Sequence, residues 1–182
     1  MKEAEIWGVA ETSEGNVVFI KPLDSEYSVP IFIGQLEAQS ILIGFGGIVT
    51  PRPLTADLIL GLAREAEFAL DRVEIRDLRD NTFYARLVFS RPRGEEILMD
   101  SRPSDALALA VRCKCPLYIA EKVVKEAGVP ADDLTGASKT DREAQKAVLK
   151  AELEEAVAAE NYERAAELRD ALILLDNSGE NA

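Results

Sequence analysis

Residues 106–111, Ala-Leu-Ala-Leu-Ala-Val, form an unbroken apolar run, and the residues ahead of it restrict what it can be. Glu96 to Met99 reads as the end of a strand. Pro103 fits a first helical turn, where its missing N–H costs nothing. Ser104 and Asp105 bring a hydroxyl and a carboxylate beside the orphan backbone donors of that turn. A helix this apolar buries nearly all its sides, so the rest of the chain must supply layers around it. A strand thus delivers Arg102, Ser104 and Asp105 to the mouth of a core helix. That arrangement is either an anion site or a well-capped helix.

The flanking patterns supply the layers. Residues 6–11, 17–21 and 29–33 read as strands, and Leu36 to Phe45 has helical spacing ended by Gly44, Gly46 and Gly47. Thr55 is a good N-cap for a helix over 56–69, and Leu54 with Ile59 has the spacing of a hydrophobic staple. Residues 73–78 and 82–90 alternate around Asp80-Asn81, a hairpin signal. Asn16 to Ile43 and Asn81 to Val111 share the order strand, turn, strand, helix, with Glu37 opposite Asp105. The fold class is therefore α+β, a mixed β-sheet domain built on a degenerate strand–strand–helix repeat. The expected organisation is a first domain over residues 1–130, a linker over 131–139 and a helical αα-hairpin over 140–182. In that hairpin Val148, Leu149, Leu153 and Val157 would face Tyr162, Leu168, Leu172 and Leu175.

Charge and composition exclude several chemistries. The chain has 182 residues, 21 basic and 33 acidic groups and a net charge of −12, so a nucleic-acid site must be a local basic cleft on an acidic body. It contains no histidine, which removes any imidazole base or imidazole metal ligand. Cys113 and Cys115 are poorly spaced for a strain-free disulfide and lack a second pair for zinc, so they read as small fillers at the end of the buried helix. No apolar run is long enough to span a membrane, and Met1 to Glu5 lacks the apolar stretch of a signal peptide. The expected location is cytoplasmic.

Two loops entering helices share their chemistry. Arg52-Pro53-Leu54-Thr55-Ala56-Asp57 and Arg102-Pro103-Ser104-Asp105 each run Arg-Pro, hydroxyl, Asp. Arg52, Thr55, Arg102 and Ser104 are candidate substrate-binding residues for a phosphate. Glu37, Asp57 and Asp105, with Asp100 behind them, are candidate catalytic carboxylates for orienting water or holding a metal. The competing reading is structural: acidic residues favour helix N-termini, and an Arg–Asp pair between the two loops would tie the halves together. Asp77, Arg79 and Asp80 read as a solvated turn, and Thr82 and Tyr84 as cross-strand packing partners.

Residues 30–128 resemble the bifunctional nuclease domain family. The resemblance is carried by Pro30-Ile31-Phe32-Ile33-Gly34, Glu37-Ala38-Gln39, Pro51-Arg52-Pro53-Leu54-Thr55, Asp77-Leu78-Arg79-Asp80, Thr82-Phe83-Tyr84-Ala85 and Arg102-Pro103-Ser104-Asp105-Ala106-Leu107-Ala108-Leu109-Ala110. It implies an α+β nuclease acting on DNA, RNA or both; relatives usually have His where this chain has Ala56. The run Asn161-Tyr162-Glu163-Arg164-Ala165-Ala166-Glu167-Leu168-Arg169-Asp170 is similar to the UVR motif of UvrB and UvrC proteins. That resemblance implies a protein-docking hairpin that binds a partner or self-associates, making a homo-oligomer. For phosphodiester cleavage without histidine, the expected cofactor is Mg²⁺ or Mn²⁺ on oxygen ligands, with Glu37 and Asp105 as the metal ligands. The alternatives are a non-enzymatic regulatory adaptor and a protein that binds a small phosphorylated ligand.

Overall fold

The computed structural model describes residues 1–91, 94, 96–131 and 153. The chain divides into two compact units, Met1–Ala131 and Asp132–Ala182. The expected hairpin over 140–182 lies outside the described residues, Leu153 apart.

The first unit opens with a three-stranded meander, β1 (Lys2–Thr12), β2 (Gly15–Pro22) and β3 (Tyr27–Ile33), followed by helices α1 (Gln35–Phe45) and α2 (Thr55–Glu65). A second meander follows, β4 (Ala69–Arg79), β5 (Thr82–Ser90) and β6 (Glu96–Ser101), leading into α3 (Pro103–Cys113). Strand β7 (Leu117–Ile119), helix α4 (Glu121–Ala127) and a two-residue strand β8 (Val129–Pro130) complete it. The strands form one mixed sheet in the order β6-β5-β4-β7-β1-β2-β3-β8. Among the described residues only β4 and β7 pair in parallel, which requires the long crossover through β5, β6 and α3. Asp80 and Asn81 close the β4–β5 hairpin with φ of 48° and 58°, the two positive angles of a type I′ turn.

The repeat is more complete than the sequence reading made it. Lys2 and Ala69, Gly15 and Thr82, Tyr27 and Glu96, Gln35 and Pro103 begin successive elements, at offsets of 67, 67, 69 and 68 residues. Each half is thus three strands and a helix; the first strand of each escaped the pattern. The two helices differ in burial because their surroundings differ. Pro103, Ser104 and all of Ala106 to Ala110 are buried on α3, whereas α1 buries only Ala38 and Ile41. α3 lies on β4 and β5 with α1 and α2 packed against it, as the apolar run required.

α1 and α3 run side by side in the same direction. Arg102 meets Glu37 at their N-terminal ends, and near their C-terminal ends a Cβ on Gly44 would collide with Val111 and Arg112. The core gathers on the helix side of the sheet around Val18, Ile20, Ile41, Val73, Ile75, Leu107, Ile119 and Val123. Helix α4 touches both β3 and β4 although β7, β1 and β2 lie between them, so the sheet curls around this core.

Three local expectations are corrected. Leu54, not Thr55, is the N-cap of α2, and its backbone N–H donates to the Asp57 carboxylate at 2.8 Å. A leucine at the cap cannot also be the outer half of a staple. The helix stops at Glu65 rather than Ala69. Glu67 there takes a φ of 62° while its N–H donates to Arg64 and that of Phe68 to Ala63. That pair of bonds is a Schellman closure, made here without the glycine that would have announced it.

Candidate functional site

Arg102 is the N-cap of α3, held extended by its strand and followed by Pro103. Its guanidinium forms a two-point fork on Asp105, Nε to Oδ2 at 2.7 Å and Nη2 to Oδ1 at 3.1 Å. The remaining nitrogen, Nη1, donates to Glu37 Oε1 at 3.1 Å. Asp105 first, and Glu37 after it, raise the guanidinium further above its ordinary value. The cluster lies open, with the Arg102 side chain 64% exposed. Gly34 makes room for it: a side chain there would strike the Glu37 carboxylate. Glu37 and Asp105 occupy matching positions in α1 and α3, and one arginine joins them.

Asp57 does not share this cluster. Its Oδ2 accepts from Leu54 at the α2 cap, and its Oδ1 accepts from Arg112 Nε at 2.9 Å. Arg112 stands in the last turn of α3 with its side chain only 8% exposed. Its Nη1 donates to the carbonyls of Ser40 at 3.1 Å and Ala108 at 2.6 Å. One buried guanidinium therefore ties α1, α2 and α3 together. The Arg–Asp tie between the halves exists, but Arg112 makes it, not Arg52 or Arg102. The sequence signal for Arg112 was faint, a cation in the last turn of an otherwise apolar helix.

The other candidates are distributed as follows. Arg52 and Thr55 are exposed around the start of α2, and Ser104 is buried in the first turn of α3. Asp100 is exposed on β6 opposite Arg86. Ala56 is buried in the core. Among the described residues no group of three or more Cys, Asp or Glu side chains is placed to hold a metal ion. Cys113 is exposed and Cys115 half-buried, and both are free thiols, so the filler reading fails for Cys113. Lys114 turns the chain left-handed between them at the end of α3. Hydrogen bonding from Cys115 lowers the Cys113 thiol to about 7.

Strand β4 carries ion pairs that the sequence reading left out. Glu74 projects between Val73 and Ile75 and is buried, accepting from Arg72 Nε at 2.8 Å and Arg86 Nη2 at 2.6 Å. Burial pushes its carboxyl up, but the bonds from Arg72 and Arg86 outweigh that and leave it below its ordinary value. Asp77 is buried as well and takes bonds from Lys122 and Arg79. It is no solvated turn residue. Arg79 in turn stacks over Tyr84 at 5.2 Å.

Lys122 first, then Arg79, hold the Asp77 carboxyl at about 2, against an ordinary 3.8. A folded value below the unfolded one stabilises the protein above the unfolded value and loses that stabilisation as the carboxylate protonates. Asp77 should therefore make stability fall between about pH 4 and pH 2. Melting temperatures of wild type and Asp77→Asn across that window test it. The wild-type curve should drop more steeply; parallel curves would remove the assignment.

No helix among the described residues is long and apolar enough to cross a membrane. A model of the bifunctional nuclease domain matches residues 18–132, and one of the UvrB/uvrC motif matches residues 143–178. An uncharacterized protein of Mycobacterium tuberculosis is 36% identical over 156 residues, covering 85% of this chain and 90% of its own. Bifunctional nuclease 1 of Oryza sativa subsp. indica is 25% identical over 170 residues, 82% of this chain and 51% of its own. The protein of the same name from Arabidopsis thaliana is 24% identical over 165 residues, 79% and 51%. The chain spans about half the length of these plant relatives.

Proposed function

The chain belongs to the bifunctional nuclease domain family and carries a UvrB/uvrC motif behind that domain, and from this premise we propose that it hydrolyses phosphodiester bonds in DNA, RNA or both. The observation that carries the reading is the solvent-exposed Arg102 guanidinium, whose fork grips Asp105 of its own helix while Nη1 reaches Glu37 of α1. A guanidinium so placed binds phosphate oxygens at two points and stabilises the charge that builds on them during attack. Arg52, exposed on the loop into α2, is the second cation for the phosphate, with Thr55 beside it.

Carboxylates must do the rest, because the chain has no histidine. When the substrate phosphate draws Arg102 onto itself, Glu37 and Asp105 are released to orient the attacking water. The same pair is the proposed seat of Mg²⁺ or Mn²⁺. Two carboxylates with water completing the shell is a common way of holding Mg²⁺, and such an ion would supply hydroxide near neutral pH. The residues after 140 are the proposed docking hairpin, for a protein partner or a second copy, and the cytoplasm is the proposed location.

The test is cleavage of single-stranded DNA and RNA with Mn²⁺ by wild type, Glu37→Gln and Asp105→Asn. Both variants should stay folded and lose activity by about 100-fold or more. Undiminished cleavage in both would sink the site, and undiminished wild-type cleavage in excess EDTA would sink the metal. A second reading, a non-enzymatic adaptor binding a phosphorylated ligand, is favoured by one feature. Arg102 already engages both carboxylates in the free protein. Phosphate binding without cleavage under every metal condition would establish it.

A further inference from the structure

The end of α3 gathers the chain's two cysteines in one short stretch, Cys113-Lys114-Cys115, and both are free thiols. Extended backbone would hold their Cα atoms about 7 Å apart, at the limit of what a disulfide spans. Lys114 instead takes left-handed helical angles, φ 55° and ψ 35°. A residue so turned brings its two neighbours to about 5.4 Å, the two-residue separation in a helix of either hand and well inside the disulfide range. The spacing that looked unfavourable in the sequence is thus shortened by one left-handed residue. Some strain remains in so small a ring, and strained, exposed disulfides are the reducible ones.

The two thiols are not equivalent. Cys113 is exposed and Cys115 half-buried. The hydrogen bond from Cys115 holds the Cys113 thiol at about 7. That same bond, ahead of burial, pushes the Cys115 thiol up. At neutral pH Cys113 is therefore about half thiolate while Cys115 keeps its proton. A thiol that titrates near the ambient pH is the best attacker of a disulfide.

We propose that Cys113 and Cys115 form a thiol–disulfide exchange site, Cys113 attacking and Cys115 resolving, with a small disulfide R–S–S–R as the oxidant. The Cys113 thiolate attacks one sulfur of R–S–S–R, forming Cys113–S–S–R and releasing RS⁻. Cys115 then gives its proton to solvent and attacks Cys113 Sγ, closing the Cys113–Cys115 bond and releasing the second RS⁻. The dithiol is oxidised by two electrons, and the small disulfide is reduced to two thiols. Capping Cys113 removes the negative sulfur that held the Cys115 proton, so the first step prepares the second. The proposal does not depend on the nuclease reading, since the pair stands at the opposite end of α3 from Arg102.

The experiment treats the reduced full chain with oxidised glutathione at neutral pH and follows its intact mass. Wild type should lose two hydrogens and keep no glutathione. Trypsin cuts after Arg112, Lys114 and Lys122, so the non-reduced digest should hold residues 113–114 linked to residues 115–122. Cys115→Ser should stop with one glutathione attached, and Cys113→Ser should react about tenfold more slowly than wild type. Wild type that keeps glutathione without closing the ring, or that links one chain to another, overturns the proposal. Equal rates for wild type and Cys113→Ser overturn it as well, because Cys113 is then not the attacker. The wild-type mass and digest need no variant, so the ring can be refuted even where a serine variant fails to fold.

Discussion

Asp57→Ala will destabilise the first unit by about 3 kcal/mol, roughly 10 °C in melting temperature, while Arg112→Met will cost about 1 kcal/mol or less. The asymmetry follows from burial. Arg112 is almost fully enclosed, and Asp57 is its counter-charge. Removing the carboxylate strands a buried cation, and it also removes the acceptor for the Leu54 N–H at the α2 cap. Breaking a buried pair from one side typically costs about 3–5 kcal/mol. The lower end applies because the Asp57 side chain is 37% exposed. Removing the arginine leaves Asp57 with water and its cap bond, and it eliminates the Nη2 donor that is buried without a partner. The double variant should therefore be more stable than Asp57→Ala alone. Equal losses in the two single variants, or a double variant as unstable as the sum, would show that Asp57 does not act through Arg112. A large activity loss in folded Asp57→Ala would return it to the catalytic set.

Arg102 separates chemistry from stability. Its side chain lies mostly in solvent, so Arg102→Ala should leave the melting temperature unchanged while kcat/KM for a phosphodiester falls by about 100- to 1,000-fold. Arg102→Lys keeps the charge and loses the planar fork, which grips both Asp105 oxygens at 2.7 and 3.1 Å. An ammonium cannot reproduce that geometry, so the Lys variant should retain no more than about a tenth of the activity. Titration calorimetry with inorganic phosphate gives a readout free of turnover, and affinity should fall in the same order, Arg above Lys above Ala. Equal affinity for wild type and the Lys variant would show that only charge matters there.

The candidate site was legible in part. Glu37 and Asp105 emerged from an internal repeat, and the repeat places them on one guanidinium because equivalent helices end beside each other. The two Arg-Pro loops looked alike in sequence yet separated in the fold. The second loop stands at a strand-to-helix junction, where Pro103 starts the helix and Arg102 becomes the cap. In the first loop Leu54 is the cap, and Asp57 turns back to serve it and Arg112. Arginine–carboxylate pairing depends on positions distant in sequence, 55 residues apart for Arg112 and Asp57 and 65 for Arg102 and Glu37. No local pattern carries that information. The buried pairs at Glu74 and Asp77 escaped for a related reason. A charged residue in an alternating strand reads as solvent-facing, and only neighbours from other elements, Arg86 on β5 and Lys122 on α4, reveal that it is enclosed.

By itself the sequence determined what short-range chemistry determines. An apolar run opened by proline made a buried helix, positive-φ residues at Asp80 and Asn81 made a hairpin, alternation made strands, and the missing histidine closed off imidazole chemistry. Only the tertiary structure decided which arginine meets which carboxylate, because ion pairs are selected by proximity across the sheet and between helices. It also decided that Leu36, Leu58 and Leu62 lie in the open. Helical periodicity shows that a face is apolar; the packing of α3 against β4 and β5 shows which of those faces the core has room to cover.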